Sequence, residues 1–245
     1  MTEKPRSKSH ILIVEDEEAI RTGLVDVLIY HGYEVAYAVD GDNGLKMALT
    51  GKYDLILLDV MLPGIDGFEI CNKVRQNDPE QAIIMLTARS GDEDIIEGLS
   101  SGADDYVAKP FSIAQLVLRI KAVLRRSHTR SDQATELQLD SLIIDTQNLS
   151  GQREKTTLSF TRREMQLLQY LAANPSQAIS RAELLHKIWG YAKDADIETR
   201  TVDIHIAKLR RKIELDPAKP KYLITVRGVG IKLEVSSTPP DNTPS

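Results

Sequence analysis

Residues 55–64 read Leu55-Ile56-Leu57-Leu58-Asp59-Val60-Met61-Leu62-Pro63-Gly64, an aliphatic run that ends on an acid and leads into a Pro-Gly loop. Consecutive aliphatic residues bounded by a turn predict a central strand of a parallel sheet. Open α/β sheets place their chemistry at the carboxyl ends of such strands. The sequence therefore predicts that Asp59 is either a nucleophile or a metal ligand.

A second acidic cluster, Glu15-Asp16-Glu17, follows another predicted strand at 10–14. If the two strands are neighbours, carboxylates from both crowd one edge of the sheet, and their repulsion raises their pKa values. A divalent cation with oxygen ligands relieves this repulsion, and Mg²⁺ is the usual choice beside a phosphoryl group. We therefore predict a Mg²⁺ site at this edge.

Strand and helix patterns alternate through the first half of the chain. Strands are predicted at 10–14, 34–39, 55–59, 82–87 and 105–109, and helices at about 17–30, 42–49, 67–76, 92–100 and 112–126. Five such units in about 120 residues predict an α/β domain with a doubly wound, five-stranded parallel sheet. We place this domain at 10–127 and a linker without periodicity at 128–136.

The second half of the chain has a different pattern. Short strand candidates at 137–159 predict an N-terminal antiparallel sheet. Helices are then expected from two capping boxes, Thr161-x-x-Glu164 and Ser180-x-x-Glu183, and a third from about Glu198 to Glu214.

A β-hairpin pattern follows these helices at 222–235, with Arg227-Gly228-Val229-Gly230 at its turn. Three helices followed by a hairpin predict a winged helix-turn-helix domain, which we place at 137–235. Residues 236–245 are rich in Pro, Ser and Thr, a composition typical of disorder.

Charge is distributed unevenly along the chain, whose formal net charge is −5. Residues 1–128 carry 14 basic and 21 acidic side chains, whereas residues 199–232 carry 9 basic and 3 acidic ones. An acidic half joined to a locally basic one indicates a control module attached to a nucleic-acid-binding module. The single cysteine, Cys71, excludes a disulfide framework. With a polar N-terminus and no apolar run approaching about 18 residues, we expect a cytoplasmic protein without a membrane span.

Residues 10–126 resemble a response-regulator receiver domain, and residues 137–235 resemble the winged-helix effector of the OmpR/PhoB subfamily. The receiver pocket of that family contains an acidic pair, a phospho-accepting Asp, a Thr or Ser, an aromatic residue and a Lys-Pro pair. The matching positions here are Glu15 and Asp16, Asp59, Thr87, Tyr106, and Lys109-Pro110.

This resemblance implies that Asp59 accepts a phosphoryl group from a sensor histidine kinase, a form of nucleophilic catalysis. Glu15, Asp16, Asp59 and the carbonyl of Met61 are the expected Mg²⁺ ligands. Lys109 is expected to bind a phosphoryl oxygen, and the peptide before the following proline is expected to be cis. The chain is not expected to be an enzyme beyond its own phosphoryl transfer and autodephosphorylation.

The resemblance also implies a switch that leads to homodimerisation. Thr87 is expected to bond the phosphoryl group, and Tyr106 to rotate into the space that Thr87 leaves. The predicted dimer contacts are an Asp105–Arg119 charge pair and three apolar side chains. The apolar contacts are Ile96, Leu99 and Val117.

The helix expected at 198–214 carries an apolar stripe made by Val202, Ile206, Leu209 and Ile213. The opposite face is predicted to be exposed and to bind double-stranded DNA. The resemblance implies that this DNA is a promoter with direct repeats. The members of this face are Arg200, Ile204, Lys208 and Arg211, with Thr201 and His205 at its edge.

Each member of that face has an expected role. Ile204 suits a thymine methyl and Lys208 suits base edges, while Arg200 and Arg211 suit phosphates. Arg227 of the hairpin is expected to enter a minor groove. RNA polymerase is the further partner that the resemblance implies.

Two alternatives remain. An aspartyl-phosphate hydrolase needs an acid two residues after the nucleophile, where this chain has Met61. The other alternative is an atypical receiver that acts without phosphorylation, or an effector that mainly contacts RNA polymerase through the loop at 189–197. The complete acidic pocket argues against the atypical receiver. The basic helix argues against an effector that mainly contacts RNA polymerase.

Overall fold

A computed structural model of the protein describes residues 8–87, 102–126, 136–191 and 200–235. The predicted helix at 92–100, the linker at 128–136 except its last residue, and the tail at 236–245 lie outside these residues. The chain divides into two compact units. The first is Met1–Arg130 with Trp189–Ile197, and the second is Ser131–Ile188 with Glu198–Ser245.

The first unit is built on a parallel sheet with the strand order β2-β1-β3-β4-β5. Its strands are β1 (His10–Val14), β2 (Glu34–Ala38), β3 (Leu55–Asp59), β4 (Ile83–Thr87) and β5 (Asp105–Ala108). Its described helices are α1 (Glu18–Tyr30), α2 (Gly41–Ala48), α3 (Gly67–Asn77) and α4 (Ile113–Arg126). The predicted doubly wound α/β fold is confirmed.

The aliphatic runs of β1 and β3 are buried on both faces of the sheet. Because side chains alternate along a strand, Ile11 and Leu57 enter the core that includes α1 and α4. Leu12 and Leu58 enter the opposite core, which includes α3. The sheet is thus enclosed by two apolar layers, and its functional side chains project at the ends of its strands.

The second unit begins with a four-stranded antiparallel sheet in sequence order. Its strands are β6 (Glu136–Leu139), β7 (Leu142–Asp145), β8 (Ser150–Arg153) and β9 (Thr156–Ser159). The helices that follow are α5 (Arg162–Ala172), α6 (Arg181–Leu184) and α7 (Arg200–Ile213). A π-helical turn at Leu185–Trp189 continues α6, and its last residue belongs to the first unit. Strands β10 (Leu223–Val226) and β11 (Gly230–Leu233) form the predicted hairpin. The winged helix-turn-helix architecture is confirmed.

The two predicted capping boxes differ in the structure. At α5 both halves are present, because the Thr161 side chain accepts from the Glu164 N–H and Glu164 accepts from the Thr161 N–H. At α6 Ser180 accepts from the Glu183 N–H, but the Glu183 carboxylate accepts from the hydroxyl of Tyr170 at 2.8 Å. The tyrosine is a competing donor that the local sequence pattern does not reveal.

No helix in the described part of the chain combines the length and the apolar character that crossing a membrane requires.

Candidate phosphoryl-acceptor pocket and DNA-binding surface

The two acidic motifs meet at one edge of the sheet. Because β1 and β3 are adjacent, Glu15 after β1 and Asp59 at the end of β3 become neighbours. With Asp16 they offer three carboxylate oxygens that all lie within 4.8 Å of one another. The expectation of a carboxylate cluster at this edge is confirmed.

Lys109 lies between the two buried carboxylates of this cluster. Its Nζ is 2.9 Å from Glu15 Oε1 and 3.1 Å from Asp59 Oδ2. The Lys109–Pro110 peptide is cis, as the resemblance implied. The pocket therefore holds Asp59 through an ion pair with Lys109.

Burial and charge oppose each other in this pocket. Burial raises the pKa values of Glu15 and Asp59, and Lys109 lowers both in part. Burial alone lowers the pKa of Lys109, but its hydrogen bonds and charge interactions with the two carboxylates outweigh it and raise that pKa overall. Lys109 is therefore an ammonium at neutral pH.

The donor set fits a hard divalent cation. Glu15 Oε2 is buried and has no hydrogen-bond partner among the described residues. An unpartnered buried carboxylate oxygen is costly, and two further carboxylates lie beside it. Oxygen ligands of this kind suit Mg²⁺. A cleft of about 450 Å³ opens next to the cluster and is lined by Asp16, Val60, Met61, Leu62, Pro63, Asp66 and Phe68.

The two expected switch residues lie on the next strands of the sheet. Thr87 ends β4, and its carbonyl accepts from the Lys109 N–H at 2.7 Å. Tyr106 on β5 pairs with Met85 on β4, and both pack on the same core. Since side chains two residues apart share a face, Thr87 lies on the face that carries Tyr106.

Residues expected at a dimer interface are placed differently. Asp105 and Arg119 form an ion pair within one chain, 2.8 Å between Oδ2 and Nη1, and both are buried. Within the same compact unit the Tyr191 hydroxyl donates to Asp105, and the Arg119 guanidinium lies 5.2 Å from the centre of its ring. The neighbouring Trp189 indole donates to the Asp104 carbonyl at 2.9 Å.

Burial along α4 also corrects one apolar contact. Val117 was expected to offer an exposed contact, but it is buried, whereas the adjacent Leu118 is 53% exposed. Ile96 and Leu99 lie outside the described residues.

The predicted core stripe of α7 is confirmed, since Val202, Ile206, Leu209 and Ile213 are all buried. The expectation that the opposite face is exposed is wrong for most of its members. Ile204 is only 6% exposed and Lys208 4%, and their helical neighbours Thr201 and His205 are buried as well. A helix can bury two stripes, and periodicity in the sequence identifies only the more apolar one.

Two of the basic side chains expected to contact DNA are exposed. Arg211 lies in the last turn of α7, and Arg227 lies at the β10–β11 turn. Gly228, which follows Arg227, has φ +75°, a conformation that glycine adopts without a steric penalty. The side chain of Arg200 lies outside the described residues.

Both halves of the chain match known families. Residues 11–121 match the response regulator receiver domain, and residues 154–233 match the C-terminal domain of transcriptional regulatory proteins. The transcriptional regulatory protein AfsQ1 of Streptomyces coelicolor is 44% identical over 224 residues, which are 91% of this chain and 97% of that protein. DrrB of Thermotoga maritima, described as an OmpR/PhoB homologue, is 30% identical; the match covers 93% of this chain and 99% of DrrB, with a TM-score of 0.49.

The chain is a response regulator of the OmpR/PhoB type. A solved structure of a RitR mutant is 31% identical, with a TM-score of 0.67 and coverage of 93% of this chain and 99% of that one. Its two family matches and its relative make it a transcription regulator activated by phosphorylation.

Sequence reasoning missed two residues that connect α7 of this response regulator to the hairpin of β10 and β11. Glu214 directly follows α7 and is buried, and Arg210 bonds to β10. An acid at a helix C-terminus is unfavourable next to the helix dipole, so an acid there indicates a partner elsewhere. That signal was available in the sequence.

Proposed function

We propose that Asp59 is the residue that a sensor histidine kinase phosphorylates. The observation that carries this proposal is the buried Asp59 carboxylate, bonded to Lys109 and adjacent to an open cleft. A carboxylate oxygen attacks the phosphorus of the donor phosphohistidine, the P–N bond breaks, and its electron pair leaves with the imidazole. Lys109 is already at hydrogen-bond distance and binds a phosphoryl oxygen.

Glu15, Asp16, Asp59 and the Met61 carbonyl are the proposed Mg²⁺ ligands. When bound, the ion neutralises the charge of the phosphoryl oxygens during transfer. The unpartnered Oε2 of Glu15 supports this ligand set.

Return to the resting state is proposed to occur by autodephosphorylation, in which water attacks the phosphorus, the P–O bond to Asp59 breaks, and inorganic phosphate leaves as the Asp59 carboxylate is restored. The hydrolase alternative lacks support, because Met61 stands where that chemistry needs an acid.

Dimerisation is the proposed output of the receiver unit. Thr87 bonds the phosphoryl group and Tyr106 follows it, which changes the surface formed by β5 and α4. The proposed contacts are Ile96, Leu99, Asp105 and Arg119, and Leu118 replaces the buried Val117 among the apolar contacts. Because Tyr191 now bonds to Asp105, this interface requires that Tyr191 moves away.

The Thr87→Ala substitution tests the switch. This variant keeps the acceptor and should be phosphorylated by acetyl phosphate, yet it should dimerise much less than the wild type because the hydroxyl that senses the phosphoryl group is gone. Phosphorylation by mass spectrometry and dimer mass by light scattering measure the two steps separately.

Thr50→Ala is the matched control, since the Thr50 hydroxyl donates only to the nearby Met47 carbonyl and lies outside the pocket. Equal dimerisation of Thr87→Ala and wild type would rule out the proposed route.

The phosphorylated dimer is proposed to bind direct repeats in promoter DNA and to contact RNA polymerase there. We propose a cytoplasmic location, which the DNA, RNA polymerase and kinase partners support. Arg211 and Arg200 are proposed at phosphates and Arg227 in a minor groove. Thr201, Ile204, His205 and Lys208 form the proposed base-reading face. Because these four side chains are buried in this structure, the proposal requires that the face becomes accessible when DNA binds.

Arg211→Ala and Arg227→Ala should affect DNA binding in different ways. Arg211→Ala removes a phosphate contact and should therefore weaken binding to all DNA sequences alike. It should also lower the slope of log affinity against log salt concentration by about one. Arg227→Ala should chiefly reduce preference for A·T-rich flanks, whose narrow minor groove attracts arginine. Binding titrations over a randomised duplex library at several salt concentrations measure both effects.

The exposed Lys155, in the turn between β8 and β9, provides a control whose change to Ala should alter neither quantity. Indistinguishable profiles for the two arginine variants would contradict the separate roles.

A further inference from the structure

Glu214 links the end of α7 to the start of the wing hairpin. Its Oε2 accepts from the N–H of Lys221 at 2.7 Å, and its Oε1 accepts from the N–H groups of Tyr222 at 2.9 Å and Leu223 at 2.8 Å. The residue is 5% exposed. Hydrogen bonds from backbone N–H groups to a carboxylate are stronger than neutral ones, and three of them fix the entry into β10.

The position of Glu214 is unfavourable for the helix itself. Its N–H bonds to the Arg210 carbonyl at 3.0 Å, so the residue still continues the hydrogen bonding of α7. A negative charge there opposes the negative end of the helix dipole. The bonds to the start of β10 are therefore what make this buried acid favourable.

Arg210 completes the connection from the same helix turn. Its Nε and Nη2 donate to the Leu223 carbonyl at 3.0 and 2.7 Å, and Nη2 donates to Thr225 Oγ1 at 2.8 Å. Leu223 is thus held by its N–H through Glu214 and by its carbonyl through Arg210. We call Glu214 and Arg210 the helix–wing clamp.

The other strand of the hairpin is fixed independently. Ile231 exchanges two backbone hydrogen bonds with Ile179, at 2.8 and 2.9 Å. Gly230 permits this approach, because a Cβ at that position would lie 2.0 Å from the Ile179 carbonyl oxygen. Between these anchors, the turn is closed by the Val229 N–H bond to the Val226 carbonyl at 3.0 Å, and Arg227 projects from it. Arg227 directly follows the four residues of β10, and the clamp holds the first of these.

We propose that Glu214, acting with Arg210, is a positioning residue that sets where Arg227 meets DNA relative to the helix α7. The inference rests on the proposed minor-groove contact of Arg227. It predicts that substituting a clamp residue disturbs the distance between the DNA contact of Arg227 and the DNA contacts of α7. Neither clamp residue needs to touch DNA for this effect.

A double-mutant cycle on the full chain tests this inference. Glu214→Gln, Arg227→Ala and the double variant are titrated with duplexes that share a library-selected site and differ in having A·T-rich or G·C-rich flanks. The ratio of the two affinities should fall about tenfold for Arg227→Ala, the scale of a single lost contact. Glu214→Gln should lower the same ratio, and the double variant should lower it no further than Arg227→Ala alone, because Glu214 acts through Arg227.

Two further variants separate positioning from a general loss of stability. Glu164→Gln removes another buried acid of the same unit and should lower the free energy of unfolding while the affinity ratio stays unchanged. Thr225→Val removes one acceptor of the clamp without burying a charge and should shift the ratio in the same direction by less. This variant keeps the inference testable if Glu214→Gln does not fold.

The outcomes distinguish the DNA contact of Arg227 from the positioning role of Glu214. If Arg227→Ala leaves the ratio unchanged, the wing contact and the clamp inference both fail. If Arg227→Ala lowers the ratio but the effects of Glu214→Gln and Arg227→Ala add, or Glu164→Gln lowers it equally, the wing contact stands and the positioning role of Glu214 is refuted.

Discussion

Asp59→Asn is expected to abolish phosphorylation of the chain. With Mg²⁺ and acetyl phosphate, the wild type should gain one phosphoryl group that is stable in acid and released by hydroxylamine. The variant should show only background labelling, because an amide is not a nucleophile even when Lys109 still holds it in place. Intact-protein mass spectrometry before and after hydroxylamine treatment measures this result.

Asp54→Asn is the matched control, since Asp54 precedes the same strand and its carboxylate accepts from the His10 N–H at 2.8 Å. It should be labelled like the wild type. Undiminished labelling of Asp59→Asn would move the acceptor to another residue. A wild-type chain that takes no label would favour the atypical receiver that acts without phosphorylation.

Gly67→Ala is expected to be the most damaging small substitution near the pocket. A Cβ at this position would lie 2.1 Å from the Asp59 carbonyl oxygen, and the Gly67 N–H bonds to the Val60 carbonyl at 3.0 Å. Backbone must therefore shift, which costs roughly 1–3 kcal/mol or more. The same shift displaces Asp59 from Lys109, so labelling should also slow. Urea unfolding and the rate of phosphorylation measure the two effects.

Gly23→Ala is expected to raise the stability of the chain, in contrast to Gly67→Ala. Gly23 lies inside α1, and a Cβ there meets no heavy atom within 4 Å among the described residues. Alanine should stabilise the helix by about 0.5–1 kcal/mol. If both variants unfold at the same urea concentration, the close approach at Gly67 is not what holds the acceptor loop.

The accuracy of sequence prediction varied with the range of the interactions involved. The bounds of β1 and β3 were predicted without error, because aliphatic runs enclosed on both faces leave an unmistakable pattern. The assembly of Glu15 with Asp59 followed from the rule that parallel strands end together. The position of Lys109 between them came from the family resemblance, since residues 50 positions apart in sequence carry no local signal of contact.

Failures of prediction share a different cause. Ile204 was predicted to be exposed because Val202, Ile206, Leu209 and Ile213 already form an apolar stripe that faces the core. The sequence of the helix alone does not show that a second stripe is also buried. Glu183 was predicted from a short-range pattern to complete a capping box, but its carboxylate bonds to Tyr170 instead. Asp105 pairs with Arg119 inside one chain and also bonds to Tyr191, a contact that the family pattern does not indicate. A hydroxyl brought in from elsewhere in the chain is invisible to a pattern read within one segment.

In the proposed switch, the strand order of the first unit determines the direction in which the phosphoryl signal travels. Asp59, Thr87 and Tyr106 lie on three consecutive strands, β3, β4 and β5, so each step crosses one strand spacing of about 4.8 Å. The route runs sideways across the sheet, from its centre to one margin, over about 10 Å. The opposite margin, formed by β2, takes no part in it. In this route, the phosphoryl chemistry and the output therefore occupy different strands of the same sheet.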